Sequence, residues 1–348
     1  MNMSKSIHFF SNKESLKNNI DKTILGIRGR QLNEFSELGL PIVPGLVMDG
    51  TITQTLQQTN VLPLLKPFLK KMGEAVKKQF GDPENPLLLK LVISSNLVIA
   101  NYPTLHNFGL AKTTIGGFEE KVGKDFASHE VLFLLRGIFS ILHKIAELQE
   151  DGAKQQLYKE QLKKIGDELK KEKRTESGAA VMDMYQPYLP QEFFSTAEVQ
   201  LNQTIQLIST LLSLEADNEN DVALLIQPLV YGNYDKESFS GRFFSRNIVT
   251  GEKKLQGMFF QEKFDEVDAV GKDINDIKPA YLEQLEAIAW RLEDHSKDVR
   301  EIRFTIEAGK LWLIEQKSVE AKSTIALVHF LLDLHNRGIV DAEYVVKN

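Results

Sequence analysis

The sequence predicts an α+β (α/β) fold in which two strand-rich parts flank a helical insert. Three observations carry this reading. Short apolar runs and strand-like alternation fall at residues 87–100, 223–249 and 301–317. A helical spacing of three and four runs from Glu119 to about Leu214. Two more amphipathic helices bracket the last strand pair of the 348-residue chain.

In chain order, Lys22 to Gly50 reads as strand, turn, helix and then a proline-bounded extended segment, LGLPIVPG. Thr51 to Lys78 is helical. The loop GDPENP leads into an apolar run from Leu87 to Ala100, broken only by Lys90 and Ser94-Ser95-Asn96, which reads as a buried strand or strand pair. Within the insert, Val131, Leu134, Leu135, Ile138 and Leu142 share one helix face, and a charged helix follows, ending near Gly178. Ser195-Thr196 offers a cap for a helix with Ile205, Ile208, Leu211 and Leu212 on its apolar side. Strand character returns at Ala223 to Tyr231 and at Phe243 to Val249, before the turn Thr250-Gly251-Glu252. A helix from Pro279 to about His295 carries Leu282, Leu285, Ile288, Ala289 and Leu292, and a last helix, Ala321 to Arg337, stops at Gly338.

The stretch RFTIEAGKLWLIEQK, Arg303 to Lys317, alternates like two strands. With Glu307 to Gly309 as a three-residue loop, Glu301, Arg303 and Thr305 lie opposite Leu311, Leu313, Glu315 and Lys317 on one face. That face carries acid, base, acid, base where a buried hairpin would be apolar.

Composition excludes several classes. With 42% hydrophobic and 26% charged residues the chain is an ordinary globular sequence, not a disordered one. It holds no cysteine, hence no disulfide, thiolate metal site or cysteine nucleophile. No apolar segment follows the opening MNMSKSIHFF, and no run reaches the roughly 18 residues of a membrane span. The net charge of −6 argues against nucleic acid, because the basic cluster from Lys163 to Arg174 is interleaved with acids. The expectation is a cytoplasmic protein with neither nucleic acid nor membrane as partner.

Five segments occur in a telling order: LGIRGRQLNEFSELGLPIVPG, FGDPENPLLL, LHNFGL, VALLIQPLVYGNYDKESFSGRFFSRNIVTGEKKLQG and HSKDVREIRFTIEAGKLWLIEQKS. Together the chain resembles the N-terminal ATP-grasp domain of pyruvate phosphate dikinase and phosphoenolpyruvate synthase. The resemblance implies a two-lobed nucleotide-binding domain with a helical insert: residues 1–110 with 217–235, an insert at 111–216, and a second lobe at 236–348. No threonine-rich phosphohistidine loop or barrel domain is present before Asn348. An independently encoded first domain, unable to run the full dikinase cycle alone, is therefore implied.

The same resemblance locates a nucleotide site at Arg28, Gly29, Glu301, Arg303, Glu315 and Lys317, and it is there that this chain departs from the family. Arg28 stands where the family has a lysine between glycines, and Gly26 alone remains of two opening glycines. The arginine pair of the family's VRSGAR segment falls at Val92 and near Asn96. A further family arginine on the helix near Phe133 is replaced, with Arg136 one turn away. Met258 replaces an acid, and Glu262-Lys263-Phe264 replaces a glutamine-glycine-glutamate segment. On the hairpin the family's aspartate is Glu301, its magnesium-holding glutamate is Arg303, its glutamine is Glu315 and its arginine is Lys317. Losing one preorganised donor costs roughly 10²- to 10³-fold in rate, and several are missing together.

Two readings of Arg303 follow. Its guanidinium either neutralises Glu301 and Glu315 in place of a metal ion, or forms a repurposed anion site with Arg28 and Lys317. The function expected is binding or regulation without catalysis. The ligand would be ATP or another nucleotide held weakly and without Mg²⁺, another small anionic ligand, or a protein partner. The alternative is an ATP-dependent phosphotransferase acting on a separately encoded histidine domain or a small substrate. His106, His129 and His143 lack metal-site spacing, His295 reads as a helix-end residue, and Arg246-Asn247 as part of a structural turn. Phe239, Phe243, Phe244, Phe259 and Phe260 read as strand-core packing rather than as base-stacking groups.

Overall fold

The computed structural model describes residues 6–16, 22–50, 56–95, 102–215, 222–261 and 270–347. Its contacts divide the chain into two units, Met1–Gly39 with Pro44–Leu229, and Leu40–Val43 with Val230–Asn348. The helices of residues 111–216 belong to the first unit.

The first unit is built on an antiparallel sheet of five strands, ordered β1-β2-β5-β3-β4: β1 Ile7–Phe10, β2 Gly45–Met48, β3 Leu89–Ser94, β4 Leu105–Phe108 and β5 Ala223–Pro228. Every residue of β2 and β5 is buried, which accounts for their nearly continuous apolar sequence. The expected strand at Lys22 is instead a 3₁₀ turn, Lys22–Leu25, leading directly into α1, Gly26–Glu37. Of the helix expected over residues 51–78, α2 forms only at Leu62–Val76; residues 51–55 lie outside the described residues, as do Asn96 to Ala100 of the expected apolar strand.

The insert contains α3 (Ile115–Val122), α4 (Lys124–Leu148), α5 (Gly152–Leu169), α6 (Gly178–Tyr185) and α7 (Ala197–Leu214). The predicted face of α4 is buried at all five positions. Gly137 brings α4 close to the sheet, since a Cβ there would lie 2.9 Å from Leu105 Cδ2. Asp151, Ser177 and Thr196 cap the starts of α5, α6 and α7 through their side-chain oxygens. The charged helix therefore ends at Leu169, earlier than expected, and Gly178 opens a new helix. Beyond Leu169 the segment KKEKRTES offers no apolar side chain to bury.

The second unit holds another antiparallel sheet, ordered β10-β9-β6-β7-β8: β6 Phe239–Phe244, β7 Gln256–Gln261, β8 Lys272–Asp273, β9 Arg300–Glu307 and β10 Lys310–Ser318. Strand β6 begins and ends earlier than the expected Phe243–Val249, because Ser245 and Arg246 turn out of the ladder into a buried polar network. One face is apolar: Phe304 stacks edge-on against Phe243 at 5.8 Å and Phe239 against Phe259 at 5.9 Å. Helix α8, Pro279–Ser296, packs against β9 and buries Leu285, Ile288, Ala289 and Leu292. Helices α9 (Thr324–Asn336) and α10 (Ala342–Lys347) close the unit, with Phe330, Leu331 and Leu334 packed on Val299 and Val319. Gly338 ends α9 as expected, at φ +70° with its N–H donating to His335 O. Residues 40–43 join this unit along the outer edge of β10, where Leu313 N–H donates to Pro41 O at 2.8 Å.

Candidate functional site

The hairpin β9–β10 is closed by two residues, not the three expected. Lys310 pairs with Glu307, so Ala308 and Gly309 form the loop, at φ +48° and +78°. This register sets Trp312 opposite Thr305. A bulge between Leu313 and Glu315 then shifts the pairing by one residue, so Glu315 faces Arg303 and Lys317 faces Glu301. Two departures from the expected pairing cancel, and the four charged residues share one face after all.

Register extends that face across the sheet. Glu315, Arg303, Arg242, Met258 and Asp273 lie in one transverse row over all five strands, with Lys317, Glu301, Phe244 and Gln256 in the next. Glu301 is the inward carboxylate, only 13% exposed, and it takes Lys317 Nζ at 3.2 Å and Arg242 Nη1 at 3.7 Å on its two oxygens. Arg303 is exposed. Among the described residues it makes no ion pair within 4.0 Å, so the expected Glu301–Arg303–Glu315 bridge does not form. The cations serving Glu301 are Lys317 and Arg242.

Beside these rows lies a cleft of about 650 Å³. Its rim carries Arg242, Lys254 and Lys317 against Glu252, Asp273 and Glu301, with Asn247, Gln256 and Asn275 between them; Leu255, Met258 and Phe260 supply apolar surface. Hydrogen bonds from the backbone and side chain of Asn275 hold the Asp273 carboxyl below the usual carboxylate range, against a small opposing effect of burial. A second cleft, about 750 Å³ in the first unit, lies between the end of α2 and the GDPENP loop and includes none of the predicted residues.

Arg28 and Gly29 belong to the first unit, on α1, and are thus in a different unit from the hairpin residues. Gly29 is a packing glycine in mid-helix: a Cβ there would lie 2.9 Å from Leu25 Cβ and 3.2 Å from Val47. Gly26, at φ +63°, brings the helix start against β3, where a Cβ would stand 2.2 Å from Ser94 O. The first amides of α1 are already bonded within the chain, Ile27 N–H to Ser95 O and Arg28 N–H to Ser94 Oγ, both at 3.0 Å. Such amides are the usual anion donors of a helix start. Val92 of the same strand is half-buried, while Asn96 and Glu262-Lys263-Phe264 lie outside the described residues.

The remaining candidates have structural surroundings. Arg246 is 1% exposed and forks onto Glu293 at 2.7 and 2.8 Å, and it also reaches Asp333. His106 packs at a tilt against Phe133, and burial, with Lys90 and Arg136 nearby, pushes its imidazole down to about 4. No group of three or more potential metal-ligating side chains occurs among the described residues. Among the described residues no helix is long and apolar enough to cross a membrane. Sequence reasoning missed Arg242, Lys254 and Asn275, which reach the site through strand register and loop placement rather than through spacing near the hairpin.

Two antiparallel sheets, each dressed with helices, and a charged cleft on the second define an α+β, ATP-grasp-like domain. No protein-family model matches the chain. Over all 348 residues it is 56% identical to pyruvate, phosphate dikinase of Treponema pallidum, spanning 39% of that protein. It is 26% identical over 371 residues to chloroplastic pyruvate, phosphate dikinase of Mesembryanthemum crystallinum, and 27% identical over 379 residues to pyruvate, phosphate dikinase of Rickettsia conorii, spanning 39% and 42% of them. The chain is homologous to the N-terminal, nucleotide-binding part of pyruvate, phosphate dikinase.

Proposed function

We propose that this chain binds a nucleotide or another small anionic ligand, in a binding or regulatory role, without catalysing phosphoryl transfer. The observation that carries this is the pairing of Arg303 with Arg242 where the family resemblance places a magnesium carboxylate. A divalent ion needs oxygen ligands of net negative charge. Here two arginines are direct cross-strand partners, and Glu301 is shared between Lys317 and Arg242. Like charge repels a cation directly. The arginine pair on the sheet face does not fit Mg²⁺, whereas the three cations and three amides of the cleft rim, beside its three carboxylates and apolar surface, offer polar partners to an anionic organic ligand. The α1 amides engaged by Ser94 and Ser95 support the same reading. On sequence grounds we place the protein in the cytoplasm, with a protein partner as a further candidate for what it binds.

One observation favours a second reading. A relative 56% identical to the whole chain carries the name of the enzyme, which supports an ATP-dependent phosphotransferase serving a histidine domain or small substrate supplied separately. The two readings separate in a transfer assay with γ-labelled ATP, Mg²⁺, and the remaining part of a homologous dikinase as acceptor. The expected result is no labelled acceptor above background. Label transferred in a time-dependent way overturns the non-catalytic reading.

A further inference from the structure

Building on the metal-free reading above, we propose that Arg242 and Arg303 form a clamp for the phosphoanhydride group of a di- or triphosphate ligand. The two residues are direct cross-strand partners on β6 and β9, and both are exposed, Arg242 with 55% of its side chain accessible. Residues so placed have Cβ atoms about 5 Å apart, so the two planar forks can converge on one polyanion. Like charges directly opposite each other destabilise a sheet. Glu301 offsets the charge of Arg242, which it shares with Lys317, whereas Arg303, flanked by Glu315 across the hairpin, makes no ion pair within 4.0 Å among the described residues. A bridging polyanion would relieve it.

The surroundings agree in size and chemistry. Arg242 lines the cleft of about 650 Å³, and Lys254, Lys317, Asn247 and Asn275 stand around the same rim. That volume matches sites for small organic ligands, which span roughly 300–1,000 Å³. Met258 lies between Arg242 and Asp273 in the row and gives the ligand's organic part an apolar surface. The fixed guanidinium charges take over the neutralising role that a divalent ion serves in phosphate sites.

The test is titration calorimetry in excess EDTA with ATP and, separately, inorganic tripolyphosphate. The proteins compared are the wild type, Arg242→Gln, Arg303→Gln and the exposed hairpin control Lys310→Gln, with melting curves confirming that each is folded. Each arginine variant is expected to lose about tenfold or more in affinity for both probes, with the control within about twofold. ATP binding in EDTA that is equal in all four proteins overturns the clamp and leaves the binding function standing. ATP binding seen in a parallel titration with Mg²⁺ but not in EDTA overturns the clamp and the metal-free reading on which it rests. Tripolyphosphate binding that depends on the two arginines, without ATP binding, keeps the clamp and removes the nucleotide. Binding of neither probe to the wild type overturns the clamp.

Discussion

Arg246 and His106 show how single residues set the terms of stability in this protein. The Arg246 guanidinium is enclosed by Glu293, Asp333, Gly251 O and the Phe330 ring, so it fixes the β6–β7 loop to α8 and α9. Removing one partner of such a buried pair leaves an uncompensated charge. Arg246→Ala should lower unfolding free energy by about 3–5 kcal/mol in urea denaturation, whereas Arg242→Ala on the exposed face should cost under about 1 kcal/mol. The sequence marked Arg246 as belonging to a turn. It could not show the burial, because the two acids that balance the charge lie 47 and 87 residues away.

His106 gives a pH dependence of definite sign. Its folded imidazole is held at about 4, below the ordinary value of 6.5, so between these values the unfolded chain binds the extra proton. Stability from this residue is full above pH 6.5 and is lost as pH falls toward 4, by an amount of order 3 kcal/mol. Urea midpoints at pH 7 and pH 4.5 for wild type and His106→Phe check this; the variant should lose less stability on acidification.

At the scale of elements, the β9–β10 hairpin places its charges on one face through two irregularities rather than by simple alternation. The tight Ala308-Gly309 loop follows from the chemistry of the turn, and Gly309 was the readable half of that signal. The bulge beside Ile314 was not readable, because nothing in the local residue pattern distinguishes an extra residue in a strand. Ala308 sits at φ +48°, which an alanine tolerates poorly and an asparagine better. Ala308→Asn should therefore raise stability by about 0.5–1 kcal/mol, read as a higher melting temperature with unchanged ligand binding. The start of α1 gives the opposite case. Gly26→Ala combines a positive φ with a Cβ 2.2 Å from Ser94 O, and should destabilise the first unit by more than about 2 kcal/mol in urea unfolding. The glycine-rich opening was legible as the family's first segment, with a helix expected after a strand and a turn. Its use for close packing on β3, with its amides held by Ser94 and Ser95, required the sheet to be seen.

At the scale of the whole molecule, what the sequence revealed was order: the landmarks, the central helices and the terminal hairpin fall where periodicity and resemblance put them. What it concealed was lateral assembly. Arg242 and Arg303 are 61 positions apart and meet only because β6 and β9 are neighbours, and residues 40–43 leave the first unit to join the edge of β10. The chain spans about two fifths of the length of the dikinases it matches. Arg303 stands where the family resemblance puts a magnesium ligand, so nucleotide binding should be indifferent to the ion. Calorimetric titration of the wild-type chain with ATP, once in Mg²⁺ and once in EDTA, tests this most directly. Weak binding with the same affinity in both solutions, within about twofold, is the predicted result. An affinity that rises tenfold or more on adding Mg²⁺ would contradict it.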